Sequence, residues 1–160
     1  MSVHSAGILL FRFRDGELQV LLVHPGGPFW SGKDEGAWSI PKGVFEEQES
    51  PLDAAKREFR EETGFEAEGQ FIELGRIMQP SKKIVHAWAL QLDVDERLAA
   101  SNKFTMEWPR NSGMMREFPE VDRAEWFDVE KARKKILKGQ AGFIDRLIDA
   151  VNYAPEIKAE

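Results

Sequence analysis

The sequence predicts a layered α/β (α+β) domain, a sheet covered by helices. Three observations lead there. Two β-rich runs, residues 5–13 and 17–24, flank Asp15-Gly16, a two-residue hairpin signal. An amphipathic helix opens at Ser50-Pro51 and closes at Gly64. Strand-like and helix-like segments then follow one another to the end of the chain.

The elements are justified in order. After the hairpin, His24-Pro25-Gly26-Gly27-Pro28-Phe29-Trp30 and the residues up to Gly36 are too punctuated for helix or strand, which predicts a long surface loop. Loops of that length in compact domains are commonly functional. Ser50 can cap free helix amides, Pro51 suits the first helical position, and Asp53 completes a capping-box-like pattern. Leu52, Ala55 and Phe59 recur at three- and four-residue steps and give a core-facing stripe. Gly64 is placed to end the helix in a left-handed conformation. Residues 71–78 and 83–92 read as strands, with Pro80-Ser81 turning between them. Residues 101–119, carrying Met106, Trp108, Met114 and Met115, read as irregular, and 124–127 as a short strand. Asp128 caps a second helix with Val129, Ala132, Ile136 and Leu137 inward and Gly139 as its stop. Phe143, Ile144, Leu147, Ile148 and Val151 mark a third.

The 160 residues suit one domain, expected over 1–160 with its core over about 3–150. At 42% hydrophobic residues, with eleven Phe and five Trp, the chain can bury a core and is not a disordered polymer. No run approaches the roughly 20 apolar residues of a membrane helix. The opening Met1-Ser2-Val3-His4-Ser5 lacks a basic start and Arg12 interrupts the first apolar stretch, so no signal peptide is expected and the expected location is cytoplasmic. Zero Cys excludes disulfides, thiolate metal sites and a Cys nucleophile. Twenty-eight acidic against 22 basic residues give a net charge of −6, which argues against general nucleic-acid binding. Such a chain can still act on anionic substrates when metal cations sit between the two sets of negative charge.

The chemistry concentrates in residues 43–65. Glu58, Glu61 and Glu62 are separated by three- and four-residue steps and so emerge on one helix face. Like charges at that spacing destabilise a helix by roughly 0.2–0.5 kcal/mol per pair, offset in part by Lys56, Arg57 and Arg60. Carboxylate oxygens bind hard divalent cations such as Mg²⁺, which keep waters and leave room for substrate phosphates. Mixed charge on an exposed helix face is ordinary, so the cluster alone does not carry the inference.

The complete pattern does. Gly43, five residues, Glu49, seven residues, Arg57-Glu58-Phe59, one residue, Glu61-Glu62, one residue and Gly64-Phe65 resembles the signature of the Nudix hydrolase family, with every defining position filled. At average residue frequencies, a chain of this length matches it by chance about once in ten million. The resemblance implies an α-β-α sandwich with a mixed sheet. It also implies Mg²⁺- or Mn²⁺-dependent hydrolysis of a nucleoside diphosphate linked to another group. Carried over, Glu58, Glu61 and Glu62 are metal ligands, joined by the backbone carbonyl of Lys42. Arg57 orients the carboxylates, Glu49 supports them, and Gly43 and Gly64 serve backbone shape. The family's proton acceptor is a motif Glu, here Glu61 or Glu58, or a Glu on a later loop. Glu120, which precedes Trp126-Phe127, is the first such candidate here and Glu117 the second.

Substrate choice lies outside the motif. Trp38-Ser39-Ile40-Pro41-Lys42-Gly43, Lys83-Ile84-Val85-His86-Ala87-Trp88 and the run from Trp126 to Ala132 resemble diadenosine polyphosphate hydrolases. On that resemblance Lys42, Lys83 and His86 contact the phosphate chain, and Trp30 or Phe29 stacks on an adenine. The small-molecule partner is then a nucleotide, and the family often forms homodimers. Two departures keep ADP-ribose, nucleotide sugars and NTPs open as alternatives. The only Tyr is Tyr153, and Pro80 lies 15 residues after Phe65, a spacing reminiscent of ADP-ribose pyrophosphatases. A non-catalytic nucleotide sensor is a further alternative. His4 and His24 are too far apart in sequence to suggest a site, and the basic run on the second helix reads as a solvated face.

Overall fold

A computed structural model describes residues 3–153. Its strands are β1 (Val3–Arg14), β2 (Glu17–Pro25), β3 (Lys42–Val44), β4 (Phe71–Met78), β5 (Lys83–Gln91), β6 (Lys103–Glu107), β7 (Met115–Pro119) and β8 (Val121–Asp128). Its helices are α1 (Pro51–Thr63), α2 (Val129–Lys135) and α3 (Ala141–Ala150). β1 and β2 form the expected hairpin, and Asp15 and Gly16 both have positive φ, 53° and 79°, as the tight turn demands.

The main sheet runs β4-β5-β1-β2-β8, with β3 beside the first half of β1. β1 and β5 are parallel and the other pairs antiparallel, so the sheet is mixed. Its residues alternate between two cores. Ala6, Ile8 and Leu10 of β1 pack with Ala54, Ala55 and Phe59 of α1. Leu9 and Phe11 face the other way, toward Trp38, Phe127, Phe143, Ile144 and Leu147. Burial on both faces explains why β1 reads as an apolar run, and it makes the molecule an α-β-α sandwich.

α1 is built by its ends. The Asp53 amide donates to the Ser50 hydroxyl at 3.2 Å, Pro51 opens the helix, and Gly64 closes it at φ 80°. Its buried positions are Ala54, Ala55, Phe59 and Thr63, while Leu52 is only half-buried, so the stripe is rotated from the expected one. Asp128 caps α2 by accepting from the Lys131 amide.

Two expectations fail. α2 ends at Lys135 rather than continuing to Gly139, because the chain leaves the helix to bond the Trp38 segment. The Trp38 amide donates to the Lys135 carbonyl at 2.9 Å, and the Leu137 amide to the Trp38 carbonyl at 2.8 Å. Residues 101–119 are not irregular either, since β6 and β7 form a second, antiparallel hairpin there. Its strands alternate, with Phe104, Met106, Phe118 and Arg116 on one face. Among the described residues, no helix is long and apolar enough to cross a membrane.

Candidate active site

The site forms where α1 passes β3. The Lys42 amide donates to Glu62 Oε1 at 3.3 Å. A Cβ on Gly43 would fall 2.1 Å from the Glu58 carboxyl group, so only glycine lets the strand and this carboxylate share the space. Arg57 braces the group from the other side. Its Nε and Nη2 donate to the two oxygens of Glu49, both at 2.9 Å, and its Nη1 reaches Glu58 at 2.8 Å and Glu61 at 3.3 Å. The fork on Glu49 fixes the guanidinium, leaving one nitrogen to hold two metal-ligand candidates in place.

A second segment brings Glu120. The Asn102 amide donates to the Glu61 carbonyl and the Glu120 amide to the Asn102 carbonyl, each at 2.8 Å. The Gly26 amide then donates to the Glu120 carbonyl at 2.9 Å. Three separate stretches of chain are tied together by backbone bonds around one group of carboxylates.

The electrostatics show that these carboxylates sense one another. Burial pushes the Glu62 carboxyl up to about 8, against the pull of Lys42, and Glu58 and Glu120 raise it further. Glu58 is raised by burial and by Glu61 and Glu49, with Arg57 opposing. Partial burial raises Glu120, as do Glu58 and Glu61. Burial lowers the Lys42 ammonium, Lys83 adds to that effect, and Glu62 and Glu58 resist it. The Arg57 bonds hold Glu49 below the usual carboxylate range. This is an excess of negative charge in a partly dry place, the condition that a divalent cation relieves.

Among the described residues, no three acidic or imidazole side chains converge as a closed metal cage. Glu58 and Glu61 instead lean on Arg57, the nearest positive charge. The donors are all hard carboxylate oxygens, with the Lys42 backbone adjacent, and that set suits Mg²⁺ or Mn²⁺.

Other candidate residues lie further out. Lys83 is close enough to Lys42 to depress it. His86, three residues along β5, projects from the opposite face of the sheet and pairs with His4, Nδ1 to Nε2 at 3.0 Å, beside the Phe45 ring. The structure therefore does not bring Lys83 and His86 together on one face. It does give His4 a partner, which its distance in sequence hid. Trp30 lies under the Lys33 ammonium, 5.1 Å from the ring centre. Glu117 pairs with Thr105 on the second hairpin and is exposed. His24 is buried, its ring nitrogens meeting Asp122 Oδ1 at 2.8 Å and the Lys33 carbonyl at 2.7 Å, so it fastens the 26–36 loop to β8.

One feature escaped the sequence reading. A cleft of about 350 Å³ opens beside Glu62, lined by Arg97, Ser101, Asp122 and Arg123 among others. Its walls come from three distant segments, so no local pattern announced it.

Comparison with known proteins decides the family. A family model described as the NUDIX domain matches residues 1–147. The chain belongs to the Nudix family. It carries every position of the signature of these phosphoanhydride hydrolases. Among curated proteins it is similar to an octanoyltransferase of Myxococcus xanthus, 29% identical over 134 residues. The match takes in 84% of this chain but 33% of that protein, so the chain spans about a third of that relative's length. Solved structures share the Nudix fold. The NUDIX domain of Shewanella oneidensis NrtR in complex with ADP ribose superposes with TM-score 0.64 at 14% identity, over 94% of this chain and 89% of that one. A Caenorhabditis elegans Ap4A hydrolase binary complex gives 0.63 at 19% identity, over 94% and 98%. A MutT/Nudix protein from Listeria innocua gives 0.62 at 18%, over 94% of each chain.

Proposed function

We propose that this Nudix domain is a Mg²⁺- or Mn²⁺-dependent hydrolase of a phosphoanhydride bond in a nucleoside diphosphate linked to another group, with dinucleoside polyphosphates the leading substrate class. The observation that carries the reading is the grouping of Glu58, Glu61, Glu62 and Glu120, with Arg57 bracing two of them. When bound, the cation neutralises the diphosphate and lowers the pKa of a water held next to it.

The chain's own residues do the rest. Glu58, Glu61, Glu62 and the Lys42 carbonyl hold the cation. Glu49 keeps Arg57 from drifting, and Arg57 keeps Glu58 and Glu61 facing the reaction. Glu120 takes the proton from the attacking water, with Glu61 the alternative acceptor. The raised proton affinity of Glu120 suits that task better than that of an ordinary carboxylate would. Lys42 and Lys83 supply positive charge along the phosphate chain, as the proximity of the two ammonium groups supports. His86, on the other face of β5 with His4 and Phe45, does not line that chain beside Lys83. Trp30 stacks on an adenine in place of Lys33.

The solved Ap4A hydrolase supports the dinucleotide reading. The ADP-ribose complex supports a second one, in which the same carboxylates act on ADP-ribose or a nucleotide sugar, or the domain binds ADP-ribose without cleaving it. Purified protein with Mg²⁺ or Mn²⁺ is to be assayed against diadenosine tetraphosphate, ADP-ribose, NTPs and nucleotide sugars, with products identified in ¹⁸O water. Turnover of the dinucleotide with label in a phosphate product supports the proposal. No turnover of any of them removes it, and tight ADP-ribose binding without cleavage selects the sensor. Light scattering during the same purification tests the homodimer that belongs to this reading.

A further inference from the structure

Glu120 is exposed, and among the described residues no side chain bonds its carboxylate. Its place is therefore set by its backbone. The amide donates to the Asn102 carbonyl at 2.8 Å, and the carbonyl accepts from the Gly26 amide at 2.9 Å. A third hold lies two residues further on. β2 and β8 pair in step as far as His24 opposite Arg123, after which Pro25 stands opposite Val121. Asp122 is the extra residue, a bulge in β8, and a bulge re-aims the chain beside it.

The bulged carboxylate is captured by a buried ring. Asp122 Oδ1 lies 2.8 Å from His24 Nδ1, and the Lys33 carbonyl lies 2.7 Å from His24 Nε2. A carbonyl only accepts, so Nε2 carries a proton. The contact to Asp122 needs another, because two bare lone pairs at that distance repel. Imidazole is a stronger base than carboxylate, so that proton sits on the ring. The pair thus holds one proton more than a neutral ring beside a free carboxylate.

The other charged groups nearby do not bond the ring. Trp38 stands edge to face with it, with the Arg123 guanidinium 5.0 Å from that indole. Asp34 accepts from Trp38 Nε1 and pairs with Lys135, and the Lys33 ammonium lies over Trp30. The His24 side chain is 2% exposed and that of Asp122 32%, and Asp122 also lines the cleft beside Glu62.

We propose that His24 and Asp122 form a one-proton clamp on the β8 bulge that positions Glu120 for proton transfer. The proposal rests on the hydrolase reading and adds to it two positioning residues outside the metal cluster. Raising the pH removes the shared proton and sets a lone pair against the carboxylate. The bulge then loses its hold, and the rate falls on the alkaline side.

The test has two arms. In metal-free protein near neutral pH, ring ¹⁵N NMR is expected to show both His24 nitrogens protonated. Hydrogen exchange at the Gly26 amide should be faster in Asp122→Ala than in wild type. With Mg²⁺ and whichever nucleotide the wild type hydrolyses, Asp122→Ala should lower kcat about tenfold or more, with KM within about threefold. Asp122→Asn should restore kcat and lose the alkaline limb, because an amide bonds a neutral ring as well as a charged one. His24→Asn puts an amide nitrogen near the place of Nδ1 and keeps Asp122, whereas His24→Gln keeps only the Lys33 carbonyl. The first should therefore retain more kcat than the second. Should the buried His24 variants fail to fold, the partly exposed Asp122 variants decide.

A singly protonated ring, wild-type kcat in Asp122→Ala, or an alkaline limb retained in Asp122→Asn overturns the clamp while leaving the hydrolase reading intact. Equal loss of kcat in Asp122→Asn and Asp122→Ala also overturns it. If the wild type hydrolyses no nucleotide, the hydrolase reading falls and the positioning role falls with it, whatever the ring spectrum shows.

Discussion

Replacing Glu62 by Gln separates the stability of this protein from its chemistry. Burial next to Glu58 and Glu120 lifts the Glu62 carboxyl from its ordinary 4.5 to about 8. A raised acid holds its proton in the folded state and gives it up in the unfolded chain. Folding stability is therefore intact below about pH 4.5 and declines as pH rises toward 8. The full rise sets a ceiling of about 5 kcal/mol, and Lys42 and entering water reduce it, so we expect about 2 kcal/mol. Gln keeps an oxygen to accept from the Lys42 amide while removing the charge. In EDTA, urea unfolding at pH 8.5 should show the variant more stable than wild type by about that amount, with the gap closing by pH 4.5. With Mg²⁺ the order should reverse, since only the wild type gains from binding the ion. In the same preparation kcat should fall by orders of magnitude. A gap independent of pH, or a less stable variant at pH 8.5, would refute the reasoning, and wild-type turnover would contradict the metal assignment.

Three further outcomes are expected. Gly43→Ala should cost less than about 1 kcal/mol, because the obstructing group is the mobile end of Glu58, yet lower kcat at least tenfold by pushing that carboxylate aside; unchanged kcat with normal melting would contradict it. Arg57→Lys should fail to rescue Arg57→Ala in kcat assays, because an ammonium cannot hold Glu49 with two bonds and still reach Glu58 and Glu61. Glu120→Gln should lower kcat by about 10²–10⁴ and remove the acidic limb of the pH–rate profile, where wild-type rate falls as Glu120 gains its proton; a retained limb would move the base to Glu61.

What the sequence disclosed follows the range of the forces involved. Asp15-Gly16, Ser50-Pro51 and Gly64 act over a few residues, and each does locally what its chemistry requires. The carboxylates of α1 were legible for the same reason, since helical spacing alone aligns them. Long-range pairings were not legible. α2 stops early because Trp38, about a hundred residues upstream, captures its end. The second hairpin was hidden by Pro109, Asn111 and Gly113, whose turn signals outweighed the two-residue alternation beside them. His4 finds His86 across 82 residues, and the cleft beside Glu62 needs three segments to exist at all. The bracing of Arg57 by Glu49 bridges eight residues and the helix N-terminus, a contact the motif spacing implied without stating its geometry.

The central claim is that Glu58, Glu61 and Glu62 together grip a divalent ion. Anomalous diffraction from crystals soaked in Mn²⁺ tests it most directly. The account predicts density between these side chains, with Glu58 and Glu61 drawn off Arg57 toward the ion. Density elsewhere, or carboxylates left on Arg57 with no ion among them, would contradict it.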